Sequence, residues 1–433
     1  MKIENGKMKK YKLGEIATIQ TGPFGSQLHN EDYVIKGTPI VTVEHLGNKY
    51  FTTQNLPLVS DEDKERLKKY LLKENDIVFS RVGAVDRCSF VSEKENGWLF
   101  SGRCLRVRPN KEVVNSLWLY YFFTQQHFKD YVRSKAVGCT MPSLNTDLLS
   151  DLVITTPPLE SQQKIAAVLS SLDDKIALNR RMNAKLEQMA KRLYDHWFVQ
   201  FDFPNADGKP YKASGGKMVW DETLKREIPE GWKVKSISSL IKENIGGDWG
   251  KEELTGNYQL KVSCCRGADI ESMTDLPTRY ILNSNSSKLL KENDMVVEIS
   301  GGSPTQATGR CVLISKEILN SFDNKLICSN FCQALSISEK DYVSYFYHMW
   351  KMFYDSDIFF NFEGKTSGIK NFQIDTFVAQ KWYFPPDKLA KQFGEIASKN
   401  YKMKCILDIE NKRLCALRDK LLPLLMNGQV EVK

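Results

Sequence analysis

The chain has 433 residues, of which 42% are apolar and 26% charged, and this balance excludes a disordered or collagen-like protein. Lys and Arg outnumber Asp and Glu by 61 to 53, which is compatible with a polyanionic partner without proving one. The longest apolar run, residues 117–123, is too short to span a membrane. A polar start and ten cysteines without a secretory signal predict a cytoplasmic protein with reduced thiols.

The most informative feature of the sequence is an internal duplication. The segment LLKEND at residues 71–76 recurs letter for letter at residues 289–294, which is 218 positions later. Other matches occur in the same order on both sides of it, at separations of 221 to 228 positions, and insertions in the loops of one copy explain these differences. These matches pair Tyr11-Lys12-Leu13 with Trp232-Lys233-Val234, Ile16 with Ile237, Arg87-Cys88 with Arg310-Cys311, and Pro157-Pro158 with Pro385-Pro386.

The first part of each copy, residues 1–156 and 206–384, mixes strands with a helix. Residues 38–43, 76–79 and 104–108 are apolar and β-branched runs between turn residues, which predicts strands. Aromatic side chains at helical spacing predict one amphipathic helix in each copy, near residues 117–128 and 345–353. Ser338 and Asp341 resemble a capping box at the start of the second of these helices.

The second part of each copy, residues 157–205 and 385–433, is predicted to be a long helix. No Gly or Pro follows Pro157-Pro158 until Pro204, and apolar residues recur in a heptad pattern that is typical of paired helices. Asparagines also fall on the predicted contact positions, where they fix the register of the pair or, if the heptad frame drifts, face solvent. The predicted helix–helix contact residues are Ile165, Leu169, Leu172, Ile176, Asn183, Leu186, Leu193, Phe393, Leu407, Asn411, Leu414 and Leu421.

The predicted fold class is therefore α+β. Two pseudo-symmetric parts of mixed α/β structure would be separated by two long helices that form a coiled coil, and each long helix would find its partner in the other one.

Motifs of catalysis and cofactor binding are missing from the sequence. There is neither a glycine-rich cofactor loop nor an Asn/Asp-Pro-Pro-aromatic turn of a methyltransferase, because the proline pairs occur as Thr156-Pro157-Pro158-Leu159 and Phe384-Pro385-Pro386-Asp387. No C-x-x-C pair suggests a zinc site, and the five histidines do not cluster. We therefore expect no catalytic residues, no cofactor and no metal.

Several motifs together resemble the specificity subunit of type I restriction-modification systems. They are LGEIA at residues 13–17, TGPFGS at 21–26, TMPSLN at 140–145 and PPLESQQKIA at 157–166, and the resemblance extends to the two-fold repeat. Two departures are Asp86, where the family often has glycine, and the second copy of the TMPSLN loop, which is SGIKNF at residues 367–372.

The resemblance implies a non-catalytic subunit that recognises DNA. Each mixed α/β part would be a target recognition domain for one half of a bipartite site in double-stranded DNA. The long helices would form an antiparallel coiled coil that sets the spacer. They would also recruit two methyltransferase subunits and, through these, the restriction subunits.

Candidate DNA contacts are polar, basic or aromatic residues in the predicted turns of each copy, since bases are read by bidentate Arg, Asn or Gln and phosphates by Lys and Arg. They are Gln27, Asn30, Arg81, Arg87, Arg103, Ser143 and Asn145 in the first copy, and Trp249, Lys251, Arg266, Arg279, Arg310, Lys365, Lys370 and Asn371 in the second.

Two alternatives stay open from the sequence. One is a modification enzyme with its own catalytic domain, which the missing motifs disfavour. The other is a coiled-coil scaffold that displays two protein-binding heads. DNA binding loses affinity steeply with salt, whereas a scaffold complex without DNA preference would not.

Overall fold

A computed structural model describes residues 8–24, 27–136, 142–303, 305–366 and 368–432. The chain divides into two compact units, and each long helix contributes to both. Unit 1 comprises Met1–Ile176 with Leu414–Lys433, and unit 2 comprises Ala177–Arg413, as far as these residues are described. We call the sheet-containing parts head 1 (residues 8–156) and head 2 (residues 206–384). Among the described helices, none combines the length and the apolar character needed to cross a membrane.

Head 1 is a mixed α/β structure built from short strands and short helices. Its strands β1–β10 are Lys9–Lys12, Ala17–Thr21, Tyr33–Val34, Thr38–Val41, Leu58–Val59, Ile77–Ser80, Cys88–Phe90, Leu99–Phe100, Cys104–Pro109 and Val153–Thr156. Its helices α1–α5 are Leu13–Ile16, Asp61–Arg66, Ser116–Thr124, Gln126–Lys135 and Thr146–Ser150.

The strands of head 1 form three sheets. One is antiparallel with the order β2-β9-β6-β7, a second has the order β3-β5-β4-β8 with β4 and β8 parallel, and β1 pairs with β10. The strands predicted near residues 38–43, 76–79 and 104–108 are β4, β6 and β9. All four residues of β6 are buried, because this inner strand is covered on both faces.

The amphipathic helix predicted near residues 117–128 is two helices in the structure. α3 ends at Thr124 and α4 begins at Gln126, because Gln125 has extended backbone angles. Asn115 starts α3 by accepting a hydrogen bond from the Trp118 amide at 2.9 Å. The prediction missed this break because the aromatic pattern continues across it.

Head 2 contains the strands β11–β24 and the helices α7–α9. The strands are Met218–Asp221, Arg226–Pro229, Lys233–Ser236, Ile241–Gly246, Tyr258–Cys265, Thr278–Leu282, Asp294–Glu298, Ser300–Gly301, Cys311–Leu313, Lys325–Cys328, Cys332–Ile337, Glu363–Thr366, Ile369–Phe372 and Lys381–Phe384. The helices are Lys316–Asn320, Val343–Asp355 and Ile374–Val378.

The sheets of head 2 repeat those of head 1, which confirms the internal duplication. The order β14-β21-β17-β19 copies β2-β9-β6-β7, and the pair β13-β24 copies β1-β10. The parallel pair β15-β20 copies β4-β8. The hairpin β11-β12 occurs before the copied part of head 2 and has no counterpart among the described residues of head 1.

Two predictions about head 2 are wrong. The Leu13 amide bonds the Leu152 carbonyl as the Ile237 amide bonds that of Gln380, so Leu13 corresponds to Ile237. The predicted matches at a separation of 221 positions, Ile16 with Ile237 and Tyr11-Lys12-Leu13 with Trp232-Lys233-Val234, are therefore both out of register. Pairing with a distant strand sets this register, which a local sequence match does not detect. The capping box of Ser338 is also absent, because its hydroxyl bonds the Leu240 carbonyl and α8 begins only at Val343.

The long helices begin after the two proline pairs, as predicted. α6 is Leu159–Tyr194, with a π-helical turn at Asp195–Val199, and α10 is Asp387–Met426. Among the predicted contact residues none is exposed. Buried ones are Ile165, Leu169, Ile176, Asn183, Phe393 and Leu407, and half-buried ones are Leu172, Leu186, Leu193, Asn411, Leu414 and Leu421.

Polar contacts within each unit join the segments of the two long helices. In unit 2 the amide of Asn179 donates to Glu410 at 2.7 Å, and that of Asn183 donates to Asp408 at 2.6 Å, so these segments run antiparallel. The alternative in which Asn183 faces solvent is wrong. In unit 1 the carboxylate of Asp173 accepts from Arg418 at 2.8 Å and from the Tyr121 hydroxyl of α3 at 2.7 Å.

Candidate nucleic-acid interface

Several loops of head 1 converge at one end of the β2-β9-β6-β7 sheet, where β2 and β6 end and β7 and β9 begin. The Arg81 amide donates to the Arg103 carbonyl at 2.8 Å, and the Leu144 amide donates to the Arg81 carbonyl at 2.8 Å. The Gly83 amide bonds the Pro142 carbonyl at 2.9 Å. We call this group of loops, residues 22–24, 81–87, 101–103 and 142–144, the loop end of head 1.

Gly22 allows the loops to approach each other closely. A Cβ atom on Gly22 would lie 2.2 Å from the Ser101 carbonyl oxygen, which no side chain can occupy without moving the backbone. A Cβ atom on Gly102 would lie at the same distance, 2.2 Å, from the Pro23 carbonyl oxygen. The chain therefore needs glycine on both sides of this contact.

The structure brings four predicted residues of head 1 together at this loop end. Arg81 is half-buried, donates to the Gly102 carbonyl at 3.1 Å and lies over the exposed ring of Phe24, 5.6 Å from its centre. Arg87 and Arg103 are exposed, and within the described part of the chain their side chains form no hydrogen bond or ion pair. Ser143 follows in the segment that pairs with Val82.

The other predicted residues of head 1 have structural roles or lie elsewhere. The side chain of Gln27 accepts a hydrogen bond from the Tyr70 hydroxyl at 2.7 Å. Asn145 starts α5 by accepting from the Leu148 amide at 2.7 Å. Asn30 lies in the turn Asn30–Asp32, and its side chain is outside the described part. That Gln27, Asn30 and Asn145 contact DNA stays a prediction.

Head 2 repeats this loop end on the same backbone, and we call residues 247–249, 299–303, 305–310, 329–331 and 370–372 the loop end of head 2. The Ile299 amide donates to the Phe331 carbonyl at 2.9 Å, and the Phe372 amide donates to the Ile299 carbonyl at 2.8 Å. A Cβ atom on Gly247 would lie 1.9 Å from the Ser329 carbonyl oxygen. Ile299 and Phe331 thus occupy the positions of Arg81 and Arg103.

Two basic residues at the loop end of head 2 are paired with buried acids. Arg310 binds both carboxylate oxygens of Glu298 at 2.8 Å, and the pKa of Arg310 is raised mainly by these hydrogen bonds. Lys370 lies 3.0 Å from Glu363 and over the ring of Phe360. A base contact by Arg310 would require this bidentate pair to open, so its role as a DNA reader stays a prediction that the geometry disfavours.

The remaining candidates of head 2 differ in exposure. Arg266 binds Asp269 in a bidentate pair at 2.8 and 2.9 Å. Arg279 is buried, stacks 3.8 Å from the ring centre of Trp249 and pairs with Glu252.

Three further candidates of head 2 are Lys251, Asn371 and Lys365. Lys251 is exposed, and the side-chain oxygen of Asn371 accepts from the Ser300 hydroxyl at 2.7 Å. The side chain of Lys365 lies outside the described part.

Comparison with known proteins agrees with this duplicated architecture. Residues 5–188 match the family model of the type I restriction modification DNA specificity domain. The type I restriction enzyme HindI specificity subunit of Haemophilus influenzae is 24% identical over 98% of this chain and 99% of its own length. The family model and these relatives support a specificity subunit of a type I restriction-modification system.

Two further relatives extend the similarity. The MjaIX specificity subunit of Methanocaldococcus jannaschii is 26% identical over 75% of this specificity subunit and 71% of its own length. The crystal structure of a type I system S subunit from M. genitalium has a TM-score of 0.63 over 98% of both chains at 14% identity, so the fold is shared.

Sequence reasoning missed two residues near the loop ends of this specificity subunit. Arg106 is buried in β9 and donates to the carbonyls of Lys69 and Leu71, and burial lowers its pKa to about 10. Phe331 is an exposed aromatic side chain on the loop end of head 2. The signal that points to Phe331 is the repeat of Ser-x-x-Cys at residues 101–104 and 329–332.

Within the described ranges, no three His, Cys, Asp or Glu side chains are grouped so as to hold a metal ion. Buried cysteines of this specificity subunit have a raised pKa, about 12 for Cys88 and Cys104, because burial disfavours the thiolate.

Proposed function

We propose that this specificity subunit reads a bipartite site in double-stranded DNA, with head 1 and head 2 each acting as a target recognition domain for one half. The observation that carries the proposal is the loop end, which occurs twice on the same backbone hydrogen bonds but displays different side chains. Two heads that share a backbone but expose different side chains are expected to bind two different half-site sequences. Base edges in the major groove are distinguished by such side chains.

The paired long helices would set the distance between the half-sites and recruit the partner subunits. On their segments in unit 2, apolar side chains are exposed although the helix–helix contact positions are already filled. Exposed apolar side chains at helical spacing favour contact with another helix. The exposed residues are Leu178, Met182 and Met189 on α6 and Ile396, Met403 and Ile406 on α10.

We infer that two methyltransferase subunits bind these helices and that restriction subunits join through them. The chain itself would contribute no catalytic group. The purified chain should then neither bind S-adenosylmethionine nor methylate DNA, whereas the complex should do both. Binding of S-adenosylmethionine by the chain alone would favour a modification enzyme instead.

The direct test is to co-express the chain with its methyltransferase subunit and to map the methylated adenines or cytosines in the host genome. We expect one motif made of two short specified sequences and an unspecified gap. An uninterrupted motif, or methylation independent of this chain, would contradict the proposal.

The spacer role can be tested by lengthening both long helices together. One turn, about 5.4 Å, is inserted after Asn179 and, at the matching level, before Glu410, because these two residues are hydrogen-bonded. The preferred gap should change while both half-site sequences stay the same. An insertion in α6 alone, which breaks the pairing, is the control, and a constant gap in the double insertion would rule out a spacer role.

The salt dependence of binding separates DNA recognition from a protein scaffold. The affinity of the complex for its methylated motif should fall with salt, with a log–log slope near −0.9 for each phosphate neutralised. A complex whose affinity is insensitive to salt and to DNA sequence would favour the scaffold with two protein-binding heads.

A further inference from the structure

The loop ends of the two heads contain the same four-residue turn. It is Ser101-Gly102-Arg103-Cys104 in head 1 and Ser329-Asn330-Phe331-Cys332 in head 2. In each turn the amide of the cysteine donates to the carbonyl of the serine at 2.9 Å, which closes a β-turn. The two central residues of the turn differ between the heads.

Both ends of this turn are fixed in the same way. The Ser101 amide bonds the Val41 carbonyl and the Ser329 amide bonds the Cys265 carbonyl, each at 2.8 Å. Cys104 and Cys332 are fully buried. Because the glycines described above, Gly22 and Gly247, also pack against the serine carbonyl, the turn is held from both sides and its tip has a defined position.

The third residue of each turn points to a role outside the chain. Arg103 is exposed, and its guanidinium forms no hydrogen bond, ion pair or ring contact within the described residues. Phe331 is 49% exposed and belongs to no apolar cluster or ring contact of the described part. A turn fixed at both ends that displays an exposed guanidinium in one head and an exposed apolar ring in the other is suited to contacting a ligand.

We propose that this turn determines specificity in each head, with Arg103 selecting guanine and Phe331 selecting thymine in their respective half-sites. The inference rests on the proposed function and adds the residues and the base chemistry to it. A guanidinium binds O6 and N7 of guanine in bidentate fashion, and an apolar side chain contacts the methyl group of thymine.

Neighbouring charges agree with these assignments. Arg103 lies beside the half-buried Arg81, so the tip in head 1 is positively charged. Phe331 lies beside Ile299, and the nearby Arg310 is neutralised by Glu298. Among the side chains that the structure describes, the tip in head 2 therefore offers an apolar surface beside an arginine that is already paired.

The experiment measures methylation by the complete complex on duplexes in which every base pair of both half-sites is replaced in turn. Arg103→Phe should abolish the preference for guanine at one position of one half-site, by about tenfold or more, and leave the other half-site unchanged. Phe331→Arg should change the preferred base from thymine to guanine at one position of the other half-site. Arg103→Lys keeps the charge but not the bidentate geometry, so it should lose the preference while retaining the salt dependence.

Lys111→Met provides the matched control, because Lys111 is exposed beyond the opposite end of the strand that begins at Cys104. It should change no base preference. Unchanged preferences in Arg103→Phe and Phe331→Arg, or a change at a base other than guanine and thymine, would overturn the proposal. Loss of the methyltransferase subunit from the Phe331→Arg complex would also overturn it, by identifying a protein contact. If the unaltered complex has no bipartite motif, the proposed function itself fails.

Discussion

The loop ends of head 1 and head 2 share one backbone but differ in charge. Head 1 exposes Arg87 and Arg103 without intramolecular partners among the described residues, whereas head 2 neutralises Arg310 with the buried Glu298. Ser80 of head 1 occupies the position of Glu298. The two heads therefore share the groups that fix the backbone of the loop end and differ in the side chains that face outward.

The same division explains two of the six residues that are repeated without change in LLKEND. In both copies of LLKEND the asparagine has a left-handed backbone, with φ of 76° at Asn75 and 73° at Asn293. The aspartate that follows accepts a hydrogen bond from the lysine amide, at 2.8 Å from Lys73 and 2.7 Å from Lys291. Asparagine tolerates this conformation better than most residues, and the turn therefore favours Asn followed by Asp in both heads.

The largest effect is expected from Gly247→Ala. The new Cβ atom would lie 1.9 Å from a backbone oxygen of the turn at Ser329, so the loop end of head 2 has to move. The free energy of unfolding, measured by urea denaturation, should fall by at least about 4 kcal/mol. Gly246→Ala is the matched control, because a Cβ atom there meets nothing within 4 Å, and an equal loss in both variants would contradict the close approach.

Arg310→Ala tests the neutralised charge of head 2. Removal of the guanidinium leaves Glu298, which is only 5% exposed, without its bidentate partner. We expect a loss of about 3 kcal/mol in the free energy of unfolding. The double variant with Glu298→Ser, the residue of head 1, should recover part of this loss, and no recovery would mean that the ion pair is not the cause.

The stability of head 2 should depend on pH through His348. Burial lowers the pKa of His348 to about 4, so the folded chain keeps the ring neutral while the unfolded chain takes up a proton near pH 6.5. The neutral ring of His348 makes its full contribution to the free energy of unfolding above about pH 6.5. As the pH falls towards 4, about 2–3 kcal/mol of this free energy is lost. Thermal unfolding of the unaltered chain and of His348→Gln should converge as the pH falls. Parallel curves would mean that this histidine is accessible to solvent.

Arg87→Ala should have the smallest effect, because this side chain has no partner within the described part of head 1. Its free energy of unfolding should change by less than about 0.5 kcal/mol. If Arg87 contacts a phosphate, DNA affinity should decrease by about 1 kcal/mol for all sequences, and the salt slope should fall by about 1. A destabilisation similar to that of Arg310→Ala would remove the contrast between the two loop ends.

Periodic and repeated features could be predicted from the sequence, whereas features set by distant contacts could not. The proline pairs and the heptads predicted α6 and α10, and the apolar runs predicted β4, β6 and β9. The break at Gln125, the absent capping box of Ser338 and the register of Leu13 were missed. The last two depend on contacts with distant parts of the chain, which a local pattern does not detect, and the break at Gln125 was missed because the aromatic pattern continues across it.

The candidate DNA residues show the same limit. Arg81, Arg87, Arg103 and Ser143 were chosen from separate turns, and the structure brings them to one loop end. Arg266 is held by Asp269, three residues further along the chain, whereas the partners of Arg279, Glu252 and the ring of Trp249, are distant in sequence and were not indicated by it.

By itself, the sequence determined that the chain consists of two copies, each with a mixed α/β part and a long helix, because hydrophobic period and duplication are properties of the order of residues. Only the tertiary structure decided which side chains of each copy face outward. Strand pairing carries residues from distant turns to one end of a sheet, and burial with a partner neutralises some of their charges. The Ser-x-x-Cys repeat is visible in the sequence, but only the backbone hydrogen bonds show that the turns at Ser101 and Ser329 lie at the same place in their heads.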